Sequence, residues 1–238
     1  MTKALTIRNA GTRPEILLYG TIGYDWGDDY VSAKQFADTL AGLGNAAEIG
    51  VRINSMGGSV ADGFAMYNAL KENPAKIIVD VVGFAVSAAS TVAMGGDEIR
   101  MHANAVMMIH PPANYVWGFA DDFRKQAEVL DKLQASIAGV YASRAGKTAD
   151  EFSKLMDAET WFNAEEALAA GLATAIVPNA GAETEAPAEN AEDDPAMLNL
   201  YRNVPTWVRE KMVNRFGREK FTNVLRRRRL ELLEKATS

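Results

Sequence analysis

Apolar positions recur along this chain with two periods. Short strand-like runs lie at 15–22, 49–54, 77–82, 99–101, 105–110 and 173–177, and Met1 to Ala4 open a further one. The segments between them carry apolar residues every three or four positions and predict helices. Val31, Phe36, Leu40 and Leu43 mark the first. Residues 62–72 form the second, with Phe64, Ala65, Tyr67 and Leu70 as its expected buried side chains. A third begins at Ser87, runs through Met94 and stops at Gly95-Gly96, read as a C-terminal cap. The longest covers 120–144, where Phe123, Ala127, Leu130, Leu133 or Gln134, Ile137 and Val140 or Tyr141 form one stripe closed by Gly146. Thr148 with Glu151, and Asn163 with Glu166, have the spacing of capping boxes and start two more helices. Strands alternating with helices predict an α/β fold.

Charge divides the chain. The whole carries a net charge of -6, which argues against general nucleic-acid binding. Residues 182–195 are acidic and rich in Ala, Pro and Asn, the composition of a disordered linker. From Met197 the sign reverses, ending in Arg226-Arg227-Arg228-Arg229. The expected organisation is therefore a main domain over 1–177, an acidic linker over 178–196 and a basic helical extension over 197–238. With no cysteine, disulfides, thiol catalysis and Cys-ligated zinc are excluded. No signal-peptide pattern or membrane-span length is evident, so a soluble cytoplasmic protein is expected.

Candidate chemistry clusters at the ends of three strand-like runs. Ser87 follows Gly83-Phe84-Ala85-Val86, where a strand gives way to small residues that can start a helix. A hydroxyl at such a turn is held exposed, and its small neighbours admit a substrate backbone. His110, one of two histidines, ends the run Met107-Met108-Ile109. Gly57-Gly58 follows Asn54-Ser55-Met56 and can aim backbone N–H groups at an oxyanion. Singly these have ordinary readings as a packing serine, a strand-end histidine and a glycine turn. Together, in this order, they read as a serine hydrolase.

Those three blocks, Asn54-Ser55-Met56-Gly57-Gly58-Ser59-Val60, Gly83-Phe84-Ala85-Val86-Ser87-Ala88 and Met108-Ile109-His110-Pro111, resemble the signature blocks of the Clp protease proteolytic subunit over about residues 15 to 177. Met56 departs from the family's usual proline, and the Ser87 to His110 spacing is slightly short, a difference assigned to the turn Gly95-Gly96-Asp97-Glu98. The resemblance implies a repeated ββα superhelix shared with crotonases, with the long helix as a handle between stacked rings. It also implies Ser87 as nucleophile, His110 as general base, and the amides of Gly58 and Ala88 as the oxyanion hole. For the acid, counting back from Gly171 places Glu159 on the family's aspartate, and Asp157 remains the alternative. The chemistry is hydrolysis of peptide bonds and needs no metal or organic cofactor.

A Clp-like domain with a tethered basic extension further resembles phage and prophage head-maturation proteases, which implies scaffold or capsid proteins as substrates and partners. Alternatives are a degradative peptidase served by a separate ATPase, an acyl-CoA enzyme of crotonase type and an inactive assembly protein. The chain has no phosphate-binding Gly-rich Lys motif, so any ATPase is a separate chain.

Overall fold

The computed structural model describes residues 5–10, 13–23, 30–178, 198 and 201–216. The acidic stretch 182–195 and the arginine run 226–229 lie outside the described residues. The chain divides into two units, Met1–Ala191 and Glu192–Ser238.

The first unit is built on one mixed sheet. Its main path runs β1 (Leu5–Ala10), β2 (Arg13–Tyr19), β5 (Glu48–Ser55), β6 (Lys76–Val86), β7 (Glu98–His102) and β10 (Ala175–Val177). Only the β1 to β2 pairing on this path is antiparallel. A short parallel pair, β3 (Thr21–Ile22) with β4 (Tyr30–Val31), stands beside it. The interior strands read as nearly continuous apolar runs because helices or buried side chains cover them on both sides.

The longest strand, β6, changes partner along its length. Ile78 to Val81 pair with β7, whereas Phe84 to Val86 pair with β8 (Val106–Ile109), which in turn pairs with β9 (Thr160–Phe162). The sequence pattern ends this strand at Val82, but it continues to Val86. Past Val82 the strand finds its second ladder on β8. The register against β5 shifts between Ile53 and Ser55, and the buried Asn54 carboxamide oxygen accepts the Phe84 N–H at 2.9 Å. A side chain thereby supplies the acceptor where the ladder is interrupted.

Helices α1 (Ala33–Ala41), α2 (Val60–Glu72), α3 (Ala88–Ala93), α4 (Ala120–Ala145), α5 (Ala149–Asp157) and α6 (Ala164–Ala170) complete the unit. Thr148 and Asn163 form the expected capping boxes with Glu151 and Glu166. Fully buried on α2 are Gly63, Met66 and Leu70, Phe64 and Tyr67 pack against the core while partly buried, and Ala65, expected to be buried, is exposed. Val31 belongs to β4 rather than to α1. The glycines after α3 do not make a left-handed cap. The helix ends in right-handed Met94, and Gly95 and Gly96 are small because a Cβ there would meet Leu70 at 2.9 Å and Val79 at 2.7 Å.

The stripe of α4 splits into two parts. Ile137, Ala138, Tyr141 and Ala142 are buried against the core, while Phe123 and Val129 near the other end are exposed. The segment leading into α4 leaves Trp117 99% and Phe119 87% exposed. On the sheet, two buried carboxylates are each held by arginine. Glu15 receives Arg8 and Arg13, and Asp80 receives Arg100 through two bonds of 2.7 and 2.6 Å. In the second unit, residues of the basic extension form α7 (Thr206–Phe216). Among the described residues, no helix is long and apolar enough to cross a membrane.

Candidate active site

Three adjacent strands deliver three side chains to one place. Val86 pairs with Met108, and Met108 pairs with Trp161, so β8 lies between β6 and β9. Ser87 leaves the end of β6, and its N–H donates to the Met108 carbonyl at 2.9 Å. His110 leaves the end of β8. In the antiparallel register of β8 with β9, Ile109 stands opposite Thr160, so one further step sets His110 opposite Glu159.

The His110 Nε2 lies 2.7 Å from Ser87 Oγ. Pro111 follows, which biases His110 toward an extended conformation and restricts its ring. Burial pushes the His110 imidazole below its ordinary value of 6.5, and the Glu159 carboxylate works in the opposite direction by favouring the cation. A neutral imidazole beside a hydroxyl is the state a general base needs at neutral pH.

Glu159 is buried, accepts the indole N–H of Trp161 at 3.3 Å and donates its own N–H to the Met156 carbonyl at 2.8 Å. Asp157, the alternative acid, is exposed and accepts from Gln134 Nε2 at 2.7 Å. The structure thus brings Ser87, His110 and Glu159 together and leaves Asp157 at the end of α5, facing α4. The second histidine, His102, ends β7, where the charges of Arg52, Asp80 and Arg100 act on it.

Ser87 precedes the first residue of α3 with φ 56° and ψ -127°. In most helices a serine here turns its oxygen onto the first-turn amides, but Ser87 makes no side-chain cap bond, and its hydroxyl faces His110 instead. Ala88, the first residue of α3, carries one of the amides that a helix's own bonds do not reach.

Gly57, the first of the glycine pair, lies against this turn. Gly57 has φ 92°, and a Cβ on it would stand 2.5 Å from the Val86 carbonyl oxygen and 2.7 Å from Ser87 Cβ. Its N–H donates to buried Ser55 Oγ at 3.0 Å. Gly58 has φ 145° and bridges to Ile22 through the Gly57 carbonyl and the Ser59 N–H, each at 2.8 Å. That bridge leaves the Gly58 N–H directed to the other side. A Cβ on Gly58 would collide with the Ile22 carbonyl oxygen.

A cleft beside Ser87 and His110 is lined by Val60, Ala88, Thr91, Pro112, Ile137 and Tyr141. Of these, the sequence reading named only Ala88 as functional. The available signal for the others was a tyrosine in the otherwise apolar stripe of α4, together with two hydroxyls, Ser90 and Thr91, in the Ala-rich α3.

Residues 16–180 match the Clp protease family. The chain belongs to that family. It is 32% identical over 154 residues to the ATP-dependent Clp protease proteolytic subunit 2 of Corynebacterium efficiens, covering 63% of this chain and 77% of that protein. Against the proteolytic subunit 1 of Leifsonia xyli it is 30% identical over 131 residues, covering 54% and 66%. A ClpP1 variant of Listeria monocytogenes shares the fold with a TM-score of 0.61 and 24% identity, covering 69% of this chain and 91% of that one. This Clp protease is accordingly a serine-type peptidase, a hydrolase with the mixed α/β fold of its family.

Proposed function

We propose that Ser87 is the nucleophile, His110 the general base and Glu159 the acid that orients it, in an endopeptidase that cleaves protein substrates. The observation that carries this reading is the 2.7 Å contact between His110 Nε2 and Ser87 Oγ at the joined ends of β6 and β8. His110 takes the Ser87 proton as Oγ attacks the peptide carbonyl. The amides of Gly58 and Ala88 stabilise the tetrahedral oxyanion, and His110 returns the proton to the leaving amine. Water, deprotonated by the same imidazole, then hydrolyses the acyl-enzyme. Glu159 holds the imidazole in the tautomer whose Nε2 accepts, and it stabilises the imidazolium that forms. Peptide mapping after incubation with a fluorophosphonate probe tests the assignment. Labelling at Ser87 is expected, and labelling at Ser55 or Ser90 in its place overturns it.

The substrates we propose are scaffold and capsid proteins of a phage precursor shell, processed by closed rings of this chain in a host cytoplasm or procapsid. What supports this is the acidic segment 182–195 followed by a basic extension that contains the run Arg226 to Arg229. What supports ring assembly is the exposed apolar end of α4. The names of the relatives favour a second reading, a degradative peptidase fed by a separate ATP-driven partner. The two readings differ in ATP dependence. Cleavage of a folded capsid-type protein without an ATPase supports the first, and cleavage only in the presence of one supports the second.

A further inference from the structure

Beneath the nucleophile turn lie three buried hydroxyls that the catalytic reading does not use. Ser90 and Thr91 come from α3, and Tyr141 comes from the buried half of α4. Buried hydroxyls must be hydrogen-bonded, and each carries one proton to donate. Their donor order can therefore be worked out. Ser90 Oγ lies 2.6 Å from the Ser87 carbonyl oxygen, which has no proton, so the Ser90 proton is committed there. Tyr141 Oη lies 2.8 Å from Ser90 Oγ, and with the Ser90 proton already used, Tyr141 is the donor. Thr91 Oγ1 lies 3.1 Å from Tyr141 Oη, and by the same count Thr91 donates to Tyr141. The relay runs in one direction, from Thr91 through Tyr141 and Ser90 to the carbonyl of Ser87.

That carbonyl is an unusual anchor. It also accepts the Ser90 N–H at 2.9 Å and the Thr91 N–H at 3.4 Å, so the first turn of α3 converges on it. The position of this oxygen fixes ψ of Ser87, in a backbone region that non-glycine residues seldom occupy. Relaxation of the turn toward ordinary φ and ψ would carry Oγ away from His110. Burial also pushes the Tyr141 phenol up against the opposing effect of its two hydroxyl partners, which keeps it protonated and able to donate.

We propose that Tyr141 is a positioning residue for the peptidase reaction, acting through Ser90 to clamp the Ser87 carbonyl and so hold the strained turn that aims Ser87 Oγ at His110. The proposal rests on the reading of Ser87 as nucleophile. Tyr141→Phe removes one oxygen and keeps the ring, whose centroid stands 5.8 Å from that of Phe152. On the full-length chain, the fluorophosphonate labelling rate at Ser87 and kcat on a short peptide should fall roughly tenfold to a hundredfold, with KM unchanged. Ser90→Ala should do the same, and the double variant should be no worse than either single one, because both cut the same relay. A merely structural role would lower the melting temperature and leave the rate per folded molecule alone. Should Tyr141→Phe fail to fold, Ser90→Ala carries the same comparison. Wild-type labelling at Ser87 with both variants within about twofold of wild type, or with effects that multiply, overturns the clamp alone. Wild-type labelling at another residue overturns the nucleophile assignment and the clamp with it.

Discussion

Among the described residues, Ser87 and Glu159 are the two non-glycine residues with positive φ, 56° and 52°, and His110 stands between them in space. Each occupies a backbone region that costs of the order of 1–3 kcal/mol for a side chain to enter. In both cases the conformation sits where a strand meets another element. Ser87 turns from β6 into α3, and Glu159 turns from α5 into β9. The strained positions and the site coincide, and the first two predictions follow from that coincidence.

Ser87→Ala should leave the fold intact and abolish peptidase activity, with a loss on the order of 10⁶ in turnover. His110→Ala should behave alike. His102→Ala should stay near wild-type activity, because that ring ends β7 among Arg52, Asp80 and Arg100. Turnover on a fluorogenic peptide, normalised to folded protein, separates the three. More than about a tenth of wild-type activity in Ser87→Ala would contradict the assignment.

Glu159→Gln should lower turnover about 10³ to 10⁴-fold, whereas Asp157→Asn, on the exposed end of α5, should change it little. The pH profile provides an independent readout. A base must be neutral, and burial holds the His110 imidazole below 6.5, so the acid limb of kcat/KM should fall below that value. Glu159 favours the imidazolium and raises the pKa. Its replacement by Gln should therefore move the residual acid limb to still lower pH. A shift to higher pH would mean that the carboxylate does not act on His110.

The placement of Ser87 and His110 at strand ends was legible in the sequence because apolar runs ending in Gly, Ser or His-Pro signal strand exits. The choice of Glu159 over Asp157 rested on counting back from Gly171 and left Asp157 open. Both lie before the same short strand, and only the pairing of Ile109 with Thr160, a contact between distant segments, shows which one stands opposite the histidine. On α2 the pattern marks Phe64, Tyr67 and Leu70, which pack against the core, but not the buried Gly63, where a Cβ would stand 3.2 Å from the Ala88 Cβ and where the lack of a side chain leaves no apolar signal. The members of the hydroxyl relay are visible in the sequence but their contact is not, because Ser90 and Thr91 lie 51 and 50 residues from Tyr141.

Two glycines with positive φ should respond differently to alanine. At Gly146, which caps α4 with φ 63°, a Cβ meets nothing, so Gly146→Ala should cost only the backbone strain of about 1 to 2 kcal/mol. At Gly58 the strain is joined by a collision with the Ile22 carbonyl, which adds roughly 1 to 3 kcal/mol and disturbs the amide proposed for the oxyanion hole. Denaturant titration should rank the two variants. Turnover should fall in Gly58→Ala and hold in Gly146→Ala.

The exposed aromatics before and within α4 should control assembly. Trp117, Phe119 and Phe123 are all exposed within seven residues of sequence, and clustered exposed aromatics mark contact surfaces. If the proposed rings form through this end of α4, replacing all three with serine should reduce the sedimenting size while circular dichroism stays unchanged. An unchanged size would contradict ring contacts through these residues.

The basic extension supplies the last test of the proposed role. An acidic segment between a peptidase domain and a cluster of arginines would tether that cluster to the domain, raising the local concentration of an acidic protein substrate. Replacing Arg226 to Arg229 with serine should leave cleavage of a short peptide unchanged and weaken cleavage of an acidic scaffold or capsid protein. The loss should be largest at low substrate concentration, where tethering matters most, and should vanish at saturation. Raising the salt should mimic it in the wild type, because exposed charges are screened over about 10 Å at 0.1 M. The measurement is kcat/KM for the two substrates from low to high ionic strength. Equal protein cleavage with and without the arginines at every salt concentration would remove substrate capture from the role of the extension, and with it the main support for a head-maturation enzyme over a general degradative one.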